Sequence, residues 1–221
     1  MNYRYEIKVP ISQYNEIIFI NWFLSLRNIR VHNPPREINN IYFDNLNFSS
    51  AKNNIDGISE RAKFRVRWYE KDSILSSCNV ELKIKDGKLN RKITIPTKLN
   101  HKDILSKDFL DLIKDNLDKI DYNHRELCAQ KFLPIVQNNY FRTYYLHKDV
   151  RMTYDTSVKY KNLKIKSIND WNSDKLNVLE IKFNEKQLNQ AQELISRMPF
   201  VPKRHSKYLR GLSYCKMAVY I

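Results

Sequence analysis

Residues 62–69, Ala-Lys-Phe-Arg-Val-Arg-Trp-Tyr, alternate strictly at period two. Phe64, Val66 and Trp68 fall on one side, and Lys63, Arg65 and Arg67 on the other. β-Branched and aromatic residues at every second position predict a strand with one face in a core. Alone, such a strand has a solvated polar face. The same alternation recurs along the chain with basic residues on the polar side, so the fold must build a sheet with a cationic face. Such a sheet can close into a barrel with that face lining the bore.

In chain order, Tyr3 to Val9 alternates, and Pro10 is expected to end it. Ser12 then caps a helix over about 12–28. Pro34-Pro35 marks a loop before a strand over 37–44. An irregular or helical piece covers 46–55, and Asp56-Gly57 turns the chain into the strand at 61–70. Strands follow at 79–85 and 89–95, joined at Asp86-Gly87 and stopped at Pro96. Residues 100–131 read as a helix that breaks near Asp121. Beyond Pro134 come strands at 136–145, 150–156 and 177–183, then helices at 185–197 and 205–218. Eight strands with flanking helices predict an α+β fold built on a mostly antiparallel closed barrel. No repeat or linker divides the chain, so 1–221 reads as one domain.

Composition narrows the chemistry. Thirty-nine Lys and Arg against 24 Asp and Glu leave a net charge of +15, which favours a polyanionic partner. Three glycines exclude a P-loop and a dinucleotide-binding fingerprint. Cys78, Cys128 and Cys215 form no CxxC pair, so neither a disulfide framework nor a zinc site is expected. None of His32, His101, His124, His147 and His205 has a ligand partner at helical spacing. No signal peptide or membrane segment is read, and a reducing, cytoplasmic location is expected.

The face that cannot be core carries Lys8, Arg65, Arg67, Lys83, Arg91, Arg142, Arg151 and Lys182. In the 89–95 strand a shift of register would direct Lys92 inward in place of Arg91. Enclosed together, these cations require an anion, because Glu6, Glu81 and Glu180 offset only part of their charge. A chain of phosphates is the natural complement, since guanidinium forks match phosphate oxygens in pairs. The cations are interleaved with apolar residues along strands, unlike the clustered patch of a nucleic-acid reader, so no nucleic acid is expected.

Seven segments then occur in register: Arg4-Tyr5-Glu6-Ile7-Lys8, Ile41-Tyr42-Phe43-Asp44, Phe64-Arg65-Val66-Arg67-Trp68-Tyr69, Glu81-Leu82-Lys83, Arg151-Met152-Thr153-Tyr154-Asp155, Leu179-Glu180-Ile181-Lys182 and Ser206-Lys207-Tyr208. Together they resemble the VTC domain, the polyphosphate polymerase branch of the triphosphate tunnel metalloenzyme superfamily, over nearly the whole chain. The resemblance implies a tunnel-forming antiparallel barrel. It implies an ATP–polyphosphate phosphotransferase, a polyphosphate kinase-type transferase that passes the γ-phosphoryl of ATP to a growing polyphosphate chain. Lys8, Arg65, Arg67, Lys83, Arg91, Arg142 and Arg151 match the tunnel bases, and Glu180 matches a carboxylate binding Mn²⁺ or Mg²⁺. Tyr140, Arg204, Ser206 and Lys207 match further phosphate contacts, and Lys207 is counted with the catalytic cations. The implied partners are ATP, polyphosphate, and inorganic phosphate or pyrophosphate. Arg4 stands at the first Glu position of the ExExK motif of related hydrolases, against a two-metal triphosphatase. A non-catalytic polyphosphate or nucleotide sensor and a tunnel triphosphatase are the alternatives.

Overall fold

Each alternating segment becomes a strand, and the strands build one large sheet. The structure, a computed structural model, describes residues 5–69, 78–86, 89–119, 130–164 and 170–217. Arg4, Gly87, His124 and Cys128, and the readings that fall on them, lie outside the described residues. The strands are β1 (Tyr5–Ser12), β2 (Ile29–Asp44), β3 (Arg61–Tyr69), β4 (Cys78–Asp86), β5 (Leu89–Thr97), β6 (Leu133–His147), β7 (Val150–Asn162), β8 (Asn172–Ser173) and β9 (Leu176–Phe183). The helices are α1 (Glu16–Ser25), α2 (Ser49–Ile55), α3 (His101–Ser106), α4 (Phe109–Ile113), α5 (Leu188–Ser196) and α6 (Lys207–Tyr214).

The hydrogen-bonded order is β1-β9-β7-β6-β2-β3-β4-β5, with β8 paired to β7. The ladders β1–β9, β9–β7, β2–β3, β3–β4 and β4–β5 are antiparallel. The order begins at β1 and ends at β5, so hydrogen bonds do not close it among the described residues. Both terminal strands carry a proline inside them, Pro10 opposite Val178 and Pro96 opposite Asn79. Proline lacks the N–H of a two-sided ladder and is tolerated on a terminal strand. Pro10 and Pro96 therefore do not stop their strands, contrary to the expectation.

Two further expectations are corrected. Pro34-Pro35 lies within β2, whose described pairing with β3 runs from Ile38 to Phe43. Among the described residues none of β3 pairs with 29–37, so an absent N–H there costs no described β3 hydrogen bond. The helix expected over 100–131 breaks earlier than Asp121. Asn100 caps α3 by accepting from Asp103 N, and Asp108 caps α4 by accepting from Asp111 N. Asp108 thus opens a second N-terminus where apolar spacing alone suggests continuity.

The chain gathers into two compact units. The first is Met1–Glu37, Tyr140–Val158 and Ser173–Ser206; the second is Ile38–Asn139, Lys159–Asn172 and Lys207–Ile221. In the first unit, Val9, Ile11, Val150, Met152, Leu179, Ile181 and Phe183 form the apolar face of β1, β7 and β9. Phe19 and Trp22 of α1 and Ala191 and Leu194 of α5 cover it. In the second unit, Ile41, Phe43, Phe64, Val66, Val80, Leu82, Ile84, Ile93 and Ile95 face Phe109, Leu112 and Ile113 of α4. In both units, alternation puts the polar residues of the same strands on the opposite face. Strands β2, β6 and β7 supply residues to both units.

Candidate functional site

The second unit's polar face is built on β3. Register places Arg65 between Tyr42 and Glu81, Arg67 between Asn40 and Asn79, and Lys63 opposite Lys83. Arg65 is bound to Glu81 through Nε at 2.6 Å and Nη2 at 2.5 Å. Lys92 Nζ donates to the other Glu81 oxygen at 2.9 Å. Burial alone would raise the Glu81 carboxyl, but Arg65, Arg67 and Lys92 outweigh it and pull its pKa down to about 2. Arg61, Lys63, Arg65, Arg67, Lys83, Lys85 and Lys92 thus share a face with the carboxylates of Glu81 and, at the end of β2, Asp44. That surplus of positive charge suits an anion.

Arg67 is held by amides. Its Nε donates to Asn40 Oδ1 at 2.7 Å, and Asn40 Nδ2 donates to Asn138 Oδ1 at 2.7 Å. Arginine cannot accept, so the direction of both amide bonds is set. Asp44 plays a structural part. Its carboxylate accepts from the N–H groups of Ser50 and Ala51 at the start of α2, and from Tyr208 Oη at 2.7 Å. Tyr208 also stacks on Tyr42 at 5.2 Å, so two of the matched segments meet as packing.

The register corrects one assignment. Arg91 stands opposite Ile84, in the row of Val80 and Leu82, whereas Lys92 stands opposite Lys83. Lys92, not Arg91, therefore occupies the cationic-face position of β5. The exchange follows from the Asp86–Leu89 pairing, which sets the parity of every later position.

The first unit's polar face is more balanced. Lys8 stands opposite Glu180, Thr153 flanks Glu180 on its other side, and Lys182 lies between Glu6 and Arg151. Lys8 Nζ pairs with Glu6 at 2.9 Å. Lys182 Nζ pairs closely with Glu180 and lies 3.8 Å from Glu6. Arg142 is bound to Asp155 through two hydrogen bonds of 2.5 and 2.7 Å, reaches Glu180 at 3.8 Å, and lies over the Tyr140 ring at 5.3 Å. Burial would raise the Glu180 carboxyl, yet Lys182, Lys8 and Arg142 hold it well below the usual carboxylate range. Glu180 is therefore a buried, ionised oxygen donor.

Arg151 shares this face but is exposed at its outer row, beside a cleft lined by His32, Asp149, Lys186 and Gln190. Arg204 is exposed in the coil before α6, and Ser206 is half-buried at its end. Lys207 is the first residue of α6. Within the first unit the structure brings together Lys8, Tyr140, Arg142, Glu180 and Lys182, and within the second Arg65, Arg67 and Lys83. Glu81, Asp155, Lys92, Asn40 and Asn138 join them. Alternation on their strands marks the first three, but no local signal marks the amides.

A divalent ion here would rest on few protein ligands. Among the described residues, no group of three or more His, Cys, Asp or Glu is placed to hold one. Glu180 fits a hard cation that takes its remaining ligands from substrate oxygens. Lys182 Nζ already places a positive group between the Glu180 and Glu6 carboxylates.

Residues 4–216 match the VTC domain family. The chain belongs to that family. Among solved structures it is similar to a protein from Hippeastrum named as an adenylyl cyclase with a dominant triphosphatase activity. The TM-score is 0.54 at 13% identity, with 94% of each chain covered. It is also similar to a protein from Vibrio parahaemolyticus named as an adenylate cyclase, with a TM-score of 0.50 at 11% identity, covering 96% of this chain and 98% of that one. These likenesses show that this VTC domain shares the fold of those proteins. A search of curated proteins returns no match.

Proposed function

We propose that this VTC domain is a metal-dependent polyphosphate polymerase using ATP. A terminal oxygen of the growing chain attacks the γ-phosphorus, the bond from that phosphorus to the β–γ bridging oxygen breaks, and ADP leaves. The attacking oxygen is already anionic at neutral pH, so the protein's task is alignment and charge neutralisation. The cationic face around Arg65 carries the reading, because its lysines and arginines outnumber the carboxylates of Glu81 and Asp44 that share it. Arg65, Arg67, Lys83 and Lys92 bind phosphate oxygens. Lys8, Tyr140, Arg151, Lys182, Arg204, Ser206 and Lys207 provide further contacts. Arg142, clamped to Asp155, positions Glu180. Glu180 with substrate oxygens would hold Mn²⁺ or Mg²⁺, which supplies extra positive charge to the transferring group.

A second reading, a polyphosphate or nucleotide sensor, is favoured by one observation. Both Glu180 oxygens already face cations, Lys182 and Arg142. Incubation with ATP and Mn²⁺ separates the readings. Polymerase activity yields long acid-labile phosphate polymer and ADP. Glu180→Gln should abolish synthesis while retaining tripolyphosphate binding, and Arg65→Ala should weaken nucleotide binding by about tenfold or more. ADP with orthophosphate alone would establish a tunnel triphosphatase, and tight binding without turnover a sensor.

A further inference from the structure

The helix α1 is apolar on every side, Glu-Ile-Ile-Phe-Ile-Asn-Trp-Phe-Leu-Ser. A helix of that kind belongs in a core or in lipid. Only one side of α1 is in a core: Phe19 and Trp22 are buried, and Phe23 packs on Tyr145. On the other side Ile17, Ile20 and Leu24 recur at helical spacing, with Ile18 beside them and Tyr14 just before the helix. Ile17 and Leu24 remain 69% and 74% exposed, and Tyr14 95%.

This outer side offers almost nothing polar. The helix's one charged residue, Glu16, is half-buried and accepts from Tyr154 Oη and Asn177 Nδ2. The Ser25 hydroxyl donates to Trp22 O. Within α1 Asn21 presents an amide outward, and Gln13, Asn15 and Asn28 on either side of the helix are exposed amides as well. The helix is followed by Arg27 and Arg30, both exposed, and residues 13–31 contain no exposed acid.

We propose that α1 is a docking element for the surface of an anionic bilayer. Its outer side seats at the headgroup–acyl boundary, with Arg27 and Arg30 against lipid phosphates. Charge complementarity selects this occupant, since a chain of net charge +15 is attracted to an anionic surface and repelled by a second copy. The scarcity of polar groups agrees, because protein interfaces need regular hydrogen bonds and a bilayer boundary does not. At ten residues the helix lies in the boundary rather than crossing it, and no helix among the described residues is long and apolar enough to cross. An apolar stripe with adjacent basic residues supplies the two signals that stable peripheral binding needs. The inference does not depend on the phosphate chemistry.

The test is co-sedimentation of the full chain with vesicles of equal parts phosphatidylglycerol and phosphatidylcholine, against vesicles of phosphatidylcholine alone. Binding is expected to the anionic vesicles and to fall as salt rises. Ile17→Ser with Leu24→Ser should weaken it about tenfold or more, as should Arg27→Glu with Arg30→Glu. Both exposed pairs should keep the wild-type melting temperature and tripolyphosphate binding; should the serine pair fail to fold, Leu24→Gln alone takes its place. Failure of the wild type to sediment with anionic vesicles would overturn the proposal. So would full retention by the serine variant, which would assign binding to net charge. A concentration-dependent dimer abolished by the same serines would overturn it in favour of self-association.

Discussion

Glu81 shows how one carboxylate organises its neighbours. It is buried, and its ionised form is held by Arg65, Arg67 and Lys92, which take its pKa from an ordinary 4.5 down to about 2. Because the folded value lies below the unfolded one, this pairing stabilises the fold above about pH 4.5. The contribution is lost as pH falls toward 2. Urea unfolding from pH 7 downward should therefore show a steeper acid loss in the wild type than in Glu81→Gln. At neutral pH that variant should cost about 3 kcal/mol, because it leaves Arg65 facing a neutral amide. Tyr208 gives a second residue-scale prediction. Burial and the Asp44 carboxylate push its phenol well above the ordinary range, so it stays a donor at all working pH values. Tyr208→Phe should lower stability by about 2 kcal/mol in denaturant titration, the worth of a buried hydrogen bond to a charged group.

At the scale of elements, strand ends and faces follow from neighbours more than from local breakers. Pro10, Pro96 and Pro34-Pro35 read as stops, yet each lies in a strand where, among the described residues, a β-ladder partner is lacking on one side. Helix α6 is constrained in another way. A Cβ at Gly211 would stand 2.7 Å from Val136 Cγ1 and 2.9 Å from Tyr160 Cδ1, both buried. Gly211→Ala would gain about 1 kcal/mol of helix propensity in an open helix. Against β6 and β7 it should instead destabilise by about 1–3 kcal/mol, read as a lowered thermal midpoint, because the packed strands have little room to move.

For the whole molecule, the consequence is linkage between ligand and stability. Under the proposed function, tripolyphosphate at a hundred times its Kd should stabilise the chain by about 2.7 kcal/mol, measured as a shift in the urea midpoint. Duplex DNA of equal phosphate concentration should shift it much less, and any shift should vanish at high salt. Arg67→Lys should reduce the tripolyphosphate effect, since a lysine cannot both bond Asn40 and present a planar fork to phosphate.

Period-two alternation, a local property, was enough to sort Lys8, Arg65, Arg67, Lys83, Arg142, Glu180 and Lys182 onto polar faces and their apolar neighbours onto cores. It was also enough, with the matched segments, to indicate the family. What it could not reach was which groups face each other across strands. That Arg65 meets Glu81, Arg142 meets Asp155 and Arg67 leans on Asn40 and Asn138 depends on strand order and register. The exchange of Arg91 for Lys92 had the same origin, since one pairing at the hairpin decides the face of every residue beyond it. Alternation is dictated by the geometry of one extended backbone, whereas pairing is dictated by the neighbour that burial brings alongside, and only the folded chain decides that.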